Sequence, residues 1–118
     1  MILLIGFRDD EVERIEEVLG EEVFSVGEGG LNREVSEVLS SPRDYHGYAD
    51  VGGKFLIMHE IPGERVGEIV KGVKGVVGEV IPATTTPTSL RWRLSDLLEE
   101  LKKEDEYFRS LRSPPNTS

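Results

Sequence analysis

The sequence predicts a small α/β domain whose four-stranded, mainly parallel sheet is built from two β-α-β-α halves. Two observations predict this class. Short apolar runs of strand length alternate with segments whose apolar residues recur at helical spacing, and both halves of the chain show the same order of segments. A chain of 118 residues is long enough for one core without disulfides or metals. We therefore expect a single domain over residues 1–112.

The first half-repeat, residues 1–41, opens with Ile2–Ile5, whose uniformly apolar pattern is typical of a buried parallel strand. Asp10 and Glu13 have the spacing of a capping box, and Gly20 is placed to end the helix that follows. The apolar face of this helix is formed by Val12, Ile15, Val18 and Leu19.

A second strand is predicted over residues 22–26, and Gly27–Gly30 then forms a turn into a short helix. Ser40-Ser41-Pro42 stops this helix. Its apolar face is formed by Leu31, Val35, Val38 and Leu39. The polar segment 42–54 is predicted to be a long loop or hinge between the halves.

The second half-repeat, residues 55–112, follows the same plan. Phe55–Met58 is predicted as a strand, Val76–Ile81 as another, and Leu90–Arg112 as a long helix. Pro62 and Gly63 open the intervening helix, whose apolar face is formed by Val66, Ile69, Val70 and Val73. Residues 113–118 are predicted to be a disordered tail.

The two halves can be overlaid. The offset that places Val12 on Val66 also places Ile15 on Ile69, whereas a slightly longer offset places Val35 on Leu94. Either the chain is an internal duplication, or two amphipathic units simply look alike when gaps are allowed. Right-handed crossovers favour the strand order 2-1-3-4 with helices on both faces. The alternative is a ferredoxin-like α+β sheet with an extra helix, which would make some strand pairs antiparallel.

Charge and composition mainly exclude classes of function. Residues 1–60 carry 14 acidic and five basic side chains, whereas residues 61–118 carry nine of each. No basic stripe is present, which argues against nucleic-acid binding. The apolar start of the chain is too short for a signal peptide or a membrane span, and the lack of cysteine suits a reducing compartment, so a cytoplasmic location is expected. The richness in Glu, Val and Gly resembles that of thermophile proteins.

One motif goes beyond pattern. The segment from Thr86 to Leu94 reads TPTSLRWRL, and Leu97-Leu98-Glu99-Glu100-Leu101 follows it. This resembles a prokaryotic family known only as a domain of unknown function, which has a Thr-Pro-Thr-Asn-x-x-Trp turn followed by a Leu-Leu-x-Glu-Leu helix. The resemblance covers residues 55–108 and departs at Ser89, where the family has Asn. Both residue types can cap a helix.

This threonine-rich turn has two interpretations. Thr86 can be an N-cap with Pro87 at the first helical position, which would make the turn purely structural. Alternatively, a helix N-terminus, hydroxyl groups and nearby arginines can bind an anion, and a parallel sheet would bring this turn beside the glycine turn. The candidate anion or ligand site is formed by Gly27, Gly29, Gly30, Thr84, Thr85, Thr86, Thr88, Ser89, Arg91 and Arg93. Glu28 would oppose an anion there.

Other chemistry is sparse. The sequence has no Walker sequence, no paired-carboxylate motif and no recognised metal-ligand spacing, so neither a cofactor nor a metal is expected. His59-Glu60 follows a strand, as catalytic residues often do, but has no partner visible in the sequence. The leading hypothesis is therefore a non-catalytic interaction or regulatory module. It would bind a second copy or a protein partner through the last helix, using Leu94, Leu98, Leu101, Phe108 and Leu111. The alternative is a small-molecule or phosphate-binding domain, with or without enzymatic activity, that uses the turns at 27–31 and 84–93.

Overall fold

Four strands and five helices are present in residues 1–112, the part of the chain that the computed structural model describes. The strands are β1 (Ile2–Ile5), β2 (Phe24–Val26), β3 (Phe55–Met58) and β4 (Ile81–Thr84). The helices are α1 (Asp9–Leu19), α2 (Glu28–Leu31), α3 (Val35–Ser40), α4 (Gly63–Val77) and α5 (Leu94–Arg112). Two 3₁₀ turns lie at Pro42–Tyr45 and Ser89–Arg91. The predicted tail, 113–118, lies outside the described residues.

The four strands form one mixed sheet in the order β2-β1-β3-β4, as predicted. The outer pairs are parallel: Leu3 lies opposite Phe24, and Ile57 lies opposite Ala83. The central pair is antiparallel, with Leu3 also opposite Ile57. The prediction that the sheet is mainly parallel was therefore wrong for the central pair. An antiparallel pair belonged to the ferredoxin-like alternative, although the strand order is that of the first choice.

The antiparallel centre has a geometric cause. Both crossover helices, α1 and α4, pack together on one face of the sheet. The first crossover leads outward from β1 to β2, and the second leads outward in the opposite direction, from β3 to β4. Two right-handed crossovers that share a face but move in opposite directions must start from strands that point in opposite directions. Hydrophobic periodicity does not reveal which face a helix covers, so the sequence could not predict this.

Each face of the sheet has its own core, because alternate side chains of a strand point to opposite sides. Against α1 and α4 pack the strand residues Ile2, Leu4, Leu56 and Met58, together with Ile15, Ile69 and Val73 from the helices. Against α3 and α5 pack Leu3, Ile5, Phe55 and Ile57, together with Val35, Val38, Leu94, Leu97 and Leu98. Strands β1 and β3 are buried along their whole length, as their uniformly apolar sequences predicted.

Several element boundaries differ from the prediction. Val76 and Val77 belong to the end of α4, and β4 begins only at Ile81. A short apolar run fits a helix end as well as a strand, which is why this boundary was misplaced. The single helix predicted after β2 is divided into α2 and α3. The final α-helix starts at Leu94 rather than Leu90, because the preceding residues form a 3₁₀ turn.

The start of α1 also differs. The helix begins at Asp9, and the Arg8 backbone N–H donates to Glu11 Oε1 at 2.9 Å. The predicted capping pair of Asp10 and Glu13 was therefore misplaced. The end of the helix agrees with the prediction, since Gly20 adopts a left-handed conformation with φ of 68°.

Contacts between the halves are reciprocal. The Val35 N–H donates to Trp92 O at 2.9 Å, and the Leu94 N–H donates to Arg33 O at 2.9 Å. The overlay that places Val35 on Leu94 also places Arg33 on Trp92. The two hydrogen bonds therefore join equivalent positions, with the donor in the first half in one bond and in the second half in the other. The strand pairs correspond in the same way, since the pair of Leu3 with Phe24 matches that of Ile57 with Ala83. The two halves therefore have matching geometry, while the duplication of the chain itself stays a prediction.

A partly buried ion pair joins the first half to the end of the connecting segment, at the carboxyl end of β1. Lys54 Nζ lies 2.8 Å from Glu11 Oε1 and donates to Gly6 O at 3.3 Å. Burial acts to raise the pKa of Glu11, but the hydrogen bond from the Arg8 backbone and the hydrogen bond and charge of Lys54 outweigh it, so the pKa is lowered. The charged form of Glu11 therefore stabilises the fold.

We expect Glu11→Gln to destabilise the protein by about 1–2 kcal/mol at neutral pH, the lower part of the range for a hydrogen bond to a charged group, because the pair is only partly buried. A lowered folded-state pKa means that the stabilisation is present above the unfolded-state pKa and is lost as pH falls through the folded-state pKa. The difference between wild type and variant should therefore shrink on acidification. Urea unfolding at several pH values measures this. Glu13→Gln on the exposed face of α1 is the control, and an equal loss in the control would contradict the role of Glu11.

Candidate functional site

The two turns of the predicted anion site lie at opposite edges of the sheet. The glycine turn follows β2 and the threonine turn follows β4. Each outer strand is parallel to its inner neighbour, but the two inner strands are antiparallel, so β2 and β4 end at opposite edges. The juxtaposition that the sequence predicted was therefore wrong, because it assumed that all four strands run in one direction.

The glycine turn is tightly packed against the connection between the halves. The Gly27 N–H donates to Tyr45 O at 2.7 Å. A Cβ atom on Gly27 would lie 2.9 Å from the Gly47 Cα, and one on Gly30 would lie 2.6 Å from a Val26 methyl group. Gly29 has no such neighbour. Close packing against backbone at Gly27 and against side chains at Gly30 therefore accounts for glycine at two of the three positions.

The threonine turn contains a reciprocal cap. The Thr86 N–H donates to Ser89 Oγ at 2.8 Å, and the Ser89 N–H donates to Thr86 Oγ1 at 3.0 Å. Ser89 Oγ also donates to Thr86 O at 3.2 Å. Thr86 therefore caps the turn that contains Pro87 and leads into the 3₁₀ turn Ser89–Arg91, whereas the sequence predicted it as the N-cap of the final helix, which begins only at Leu94. The Asn found here in the related family could accept the same bond from the Thr86 N–H.

The two arginines of the predicted site lie elsewhere. Arg91 and Arg93 line an open groove of about 480 Å³ together with Trp92, Lys103 and three acidic side chains, Asp96, Glu99 and Glu100. Neither arginine lines the cleft that contains Thr84, Thr85 and Thr86. The anion-binding interpretation therefore lacks its cations at the threonine turn, and it stays a prediction.

An open cleft of about 390 Å³ lies where β3 and β4 end. His59 follows β3 directly, and its Nδ1 lies 2.8 Å from Thr85 Oγ1. On its other side, His59 Nε2 lies 3.7 Å from Glu60 Oε1. A carboxylate only accepts hydrogen bonds, so a proton on Nε2 suits both neighbours, and the Thr85 hydroxyl then donates to Nδ1. Thr85 is the partner of His59 that was not visible in the sequence.

The backbone at Glu60 is held in an unusual conformation. Its φ is 54°, and no other non-glycine residue in the described part of the chain has a positive φ. A left-handed conformation costs an L-residue with a side chain roughly 1–2 kcal/mol. Gly6, which leaves β1 at the corresponding place, has φ of 87°. Glu60 therefore keeps a side chain where a glycine would be less strained, and the residue lines the cleft with its side chain 83% exposed.

A second exposed feature is the far end of α5. Leu94, Leu98 and Leu101 pack onto the sheet, so the prediction that they form part of a partner surface was wrong. Tyr107, Phe108 and Leu111, which we call the α5 tip, are 63%, 53% and 62% exposed. The predicted surface is thus reduced to Phe108 and Leu111, and Tyr107 is added to it. Leu94, Leu98 and Leu101 are buried because the sheet and the other helices lie beneath that part of α5, whereas nothing in the described part of the chain covers Phe108 and Leu111 to the same extent. The heptad pattern does not show where this covering ends.

No three His, Asp or Glu side chains within residues 1–112 come together as a metal site would require. Over the same range, every helix is too short or too polar to span a lipid bilayer.

The fold and its clefts define a small α/β domain with a four-stranded mixed sheet covered by helices on both faces. Residues 54–108 match the family model described as a domain of unknown function (DUF3783), which confirms the resemblance found in the sequence. The matched segment spans β3, α4, β4 and most of α5, and it contains both the cleft and part of the α5 tip. Comparison with curated proteins and with solved structures gives no match.

We expect Glu60→Gly to stabilise the protein by roughly 0.5–1 kcal/mol, since relief of the left-handed strain exceeds the entropy cost of a glycine. Chemical denaturation measures this. Glu17→Gly, on the exposed face of α1, is the control and should destabilise by about 1 kcal/mol. A loss of stability in Glu60→Gly would show that the conformation at Glu60 is not a strained one.

We expect Ser89→Ala to destabilise the protein by about 1 kcal/mol, because the partly buried cap would lose the hydroxyl that accepts from the Thr86 N–H. Ser89→Asn should retain most of the stability. Thr88→Ala provides the control, since the Thr88 hydroxyl makes no hydrogen bond within the described part. Thermal unfolding measures all three variants, and equal losses in Ser89→Ala and Thr88→Ala would contradict the capping role.

Proposed function

We propose that the protein is a non-catalytic interaction domain that self-associates through the α5 tip. The observation that carries this proposal is the continuation of an apolar stripe beyond the body of the domain. Leu94, Leu101 and Phe108 follow one another at heptad intervals, and Leu111 extends the stripe. The first two pack onto the sheet, whereas Phe108 and Leu111 are exposed.

The last turns of α5 make an exposed ion pair with the body of the domain. Arg109 Nη2 donates to Glu79 Oε2 at 3.3 Å, and Arg109 Nε lies 2.9 Å from Asp105 Oδ2. Glu79 lies between α4 and β4, so the first contact ties the helix end to the body. The rings of Tyr107 and Phe108 meet edge to face, with centroids 5.7 Å apart. Because the patch lies on a formed helix, its backbone loses little conformational freedom on binding, which favours association.

A second copy of the chain is the partner that the charge distribution favours. The acidic excess lies in residues 1–60, whereas residues 61–118, which include α5, carry equal numbers of acidic and basic side chains. Two chains that meet through their tips therefore bring their neutral halves together. A two-fold arrangement also lets the same patch face itself, which is the usual symmetry of homodimers.

The small area of the patch predicts a weak dimer. Tyr107, Phe108 and Leu111 together expose roughly 350 Å² of side chain, given about 150–250 Å² for each aromatic residue. Two such patches bury roughly 700 Å², which is below the roughly 1,200–2,000 Å² of stable complexes. Association should therefore be reversible, with a dissociation constant of roughly 10–500 µM.

Sedimentation equilibrium over a concentration range of roughly 5–500 µM tests the proposal. We expect the average mass to rise toward that of two chains, and more steeply at higher salt, which screens the repulsion between acidic chains. Phe108→Ser combined with Leu111→Ser should keep the protein monomeric. Val18→Ser, which changes an equally exposed apolar residue on α1, should behave as wild type. A wild-type protein that stays monomeric throughout, or a tip variant that still associates, would overturn the proposal.

A further inference from the structure

The cleft beside His59 occupies a place that is closed in the first half of the molecule. When the strands of the two halves are overlaid, the pair of Leu4 with Ser25 aligns with the pair of Met58 with Thr84. The next pair in the first half is Ile5 with Val26. In the second half, the residues equivalent to Ile5 and Val26 are His59 and Thr85, each one residue beyond its strand.

The two equivalent pairs differ in polarity, since the pair in the first half is apolar and the pair in the second half is polar. Ile5 and Val26 are both fully buried in the core beneath α3 and α5. His59 and Thr85 are half-buried, are joined by a 2.8 Å contact, and border open space. Sheet geometry alone does not require a histidine and a threonine at these positions, since the first half fills them with hydrocarbon.

The edge of the first half is also sealed by backbone. The Gly47 N–H donates to Ser25 O at 3.3 Å, and Ser25 Oγ donates to Gly47 O at 2.8 Å. The backbone of Gly27 packs against that of Gly47. The residues that correspond to Ser25 and Gly27 are Thr84 and Thr86, and both line the open cleft. The second half therefore has a polar space where the first half is filled.

The side chains of the lining favour a cationic ligand, although the Met1 α-ammonium group donates to the His59 backbone O at 2.9 Å. None of the cleft-lining residues within the described range is a lysine or an arginine, whereas Glu60 supplies a carboxylate. Thr84 supplies a hydroxyl oxygen that can accept hydrogen bonds, and the Thr86 hydroxyl oxygen, which accepts from the Ser89 N–H, has a second lone pair. Ile61, Pro87 and Leu90 supply apolar surface. We propose that this cleft binds a small molecule that carries a primary ammonium group on an apolar body.

In this arrangement each group has a role. The Glu60 carboxylate and the threonine hydroxyls accept hydrogen bonds from the ammonium group, and Ile61 and Leu90 contact the hydrocarbon. The contact with Thr85 fixes the His59 ring at the wall of the cleft. The backbone strain at Glu60 is consistent with this use, because retained strain is common where a side chain is needed for binding.

Amide NMR of the full-length ¹⁵N-labelled chain tests the proposal, with n-butylammonium as the probe. Tetramethylammonium keeps the positive charge but has no N–H donors, and inorganic phosphate is the anionic probe. We expect n-butylammonium to give saturable shifts at residues 59–61 and 84–86. We expect at least about tenfold weaker binding of tetramethylammonium, because the hydrogen bonds to the hydroxyls and the carboxylate are lost.

Glu60→Gln should weaken n-butylammonium binding by about tenfold or more, whereas Glu13→Gln, with the same change of charge on exposed α1, should leave it unchanged. Thr84→Val, which removes a hydroxyl group from the cleft, should also weaken binding. Ser36→Ala removes a hydroxyl group outside the cleft and is its control, which should bind as wild type does. Shifts that are equal in Glu60→Gln and wild type would overturn the proposal. So would a cleft that responds to phosphate and not to n-butylammonium, or one that responds to neither.

Discussion

The antiparallel pairing of β1 with β3 is the contact on which the rest of the structure depends. It joins the two β-α-β units through the most buried strands, from Ile2 opposite Met58 to Ile5 opposite Phe55. It also lets α1 and α4 cover one face while α3 and α5 cover the other. A parallel pair would have required the two crossover helices to lie on opposite faces. The direction of this one pair therefore determines where every connection of the chain emerges.

The same pairing separates the features that could carry function. The glycine turn and the threonine turn emerge at opposite edges, and each meets a different environment. The edge after β2 is closed by Tyr45 and Gly47, whereas the edge after β4 remains an open cleft lined by His59 and threonines. The matching strand registers of the two halves make this difference informative. Equivalent backbone positions carry apolar residues in the first half and polar residues in the second.

The family resemblance gains a structural explanation. Thr86 and Ser89 of the motif cap each other, so this part of the motif orders the turn that leads from β4 into α5. The backbone bonds between Trp92 and Val35 and between Arg33 and Leu94 then hold the start of α5 against the first half. Residues 1–53 lie outside the family match, yet they supply half of the sheet and one side of this contact.

The sequence by itself determined the local and alternating features of this protein. Uniformly apolar runs identified β1 and β3, and helical spacing identified the buried face of α4 and that of α1 apart from Val18, which is exposed. Gly20 identified a helix end, and the strand order was predicted correctly. These features follow from periodicity and from single-residue conformational preferences. Only the tertiary structure decided the direction of the second unit, the pairing of His59 with Thr85 and the point along α5 where burial ends. Each of these depends on which face of the sheet a helix covers and where the body stops beneath it. Periodicity records that a residue is buried but not what buries it.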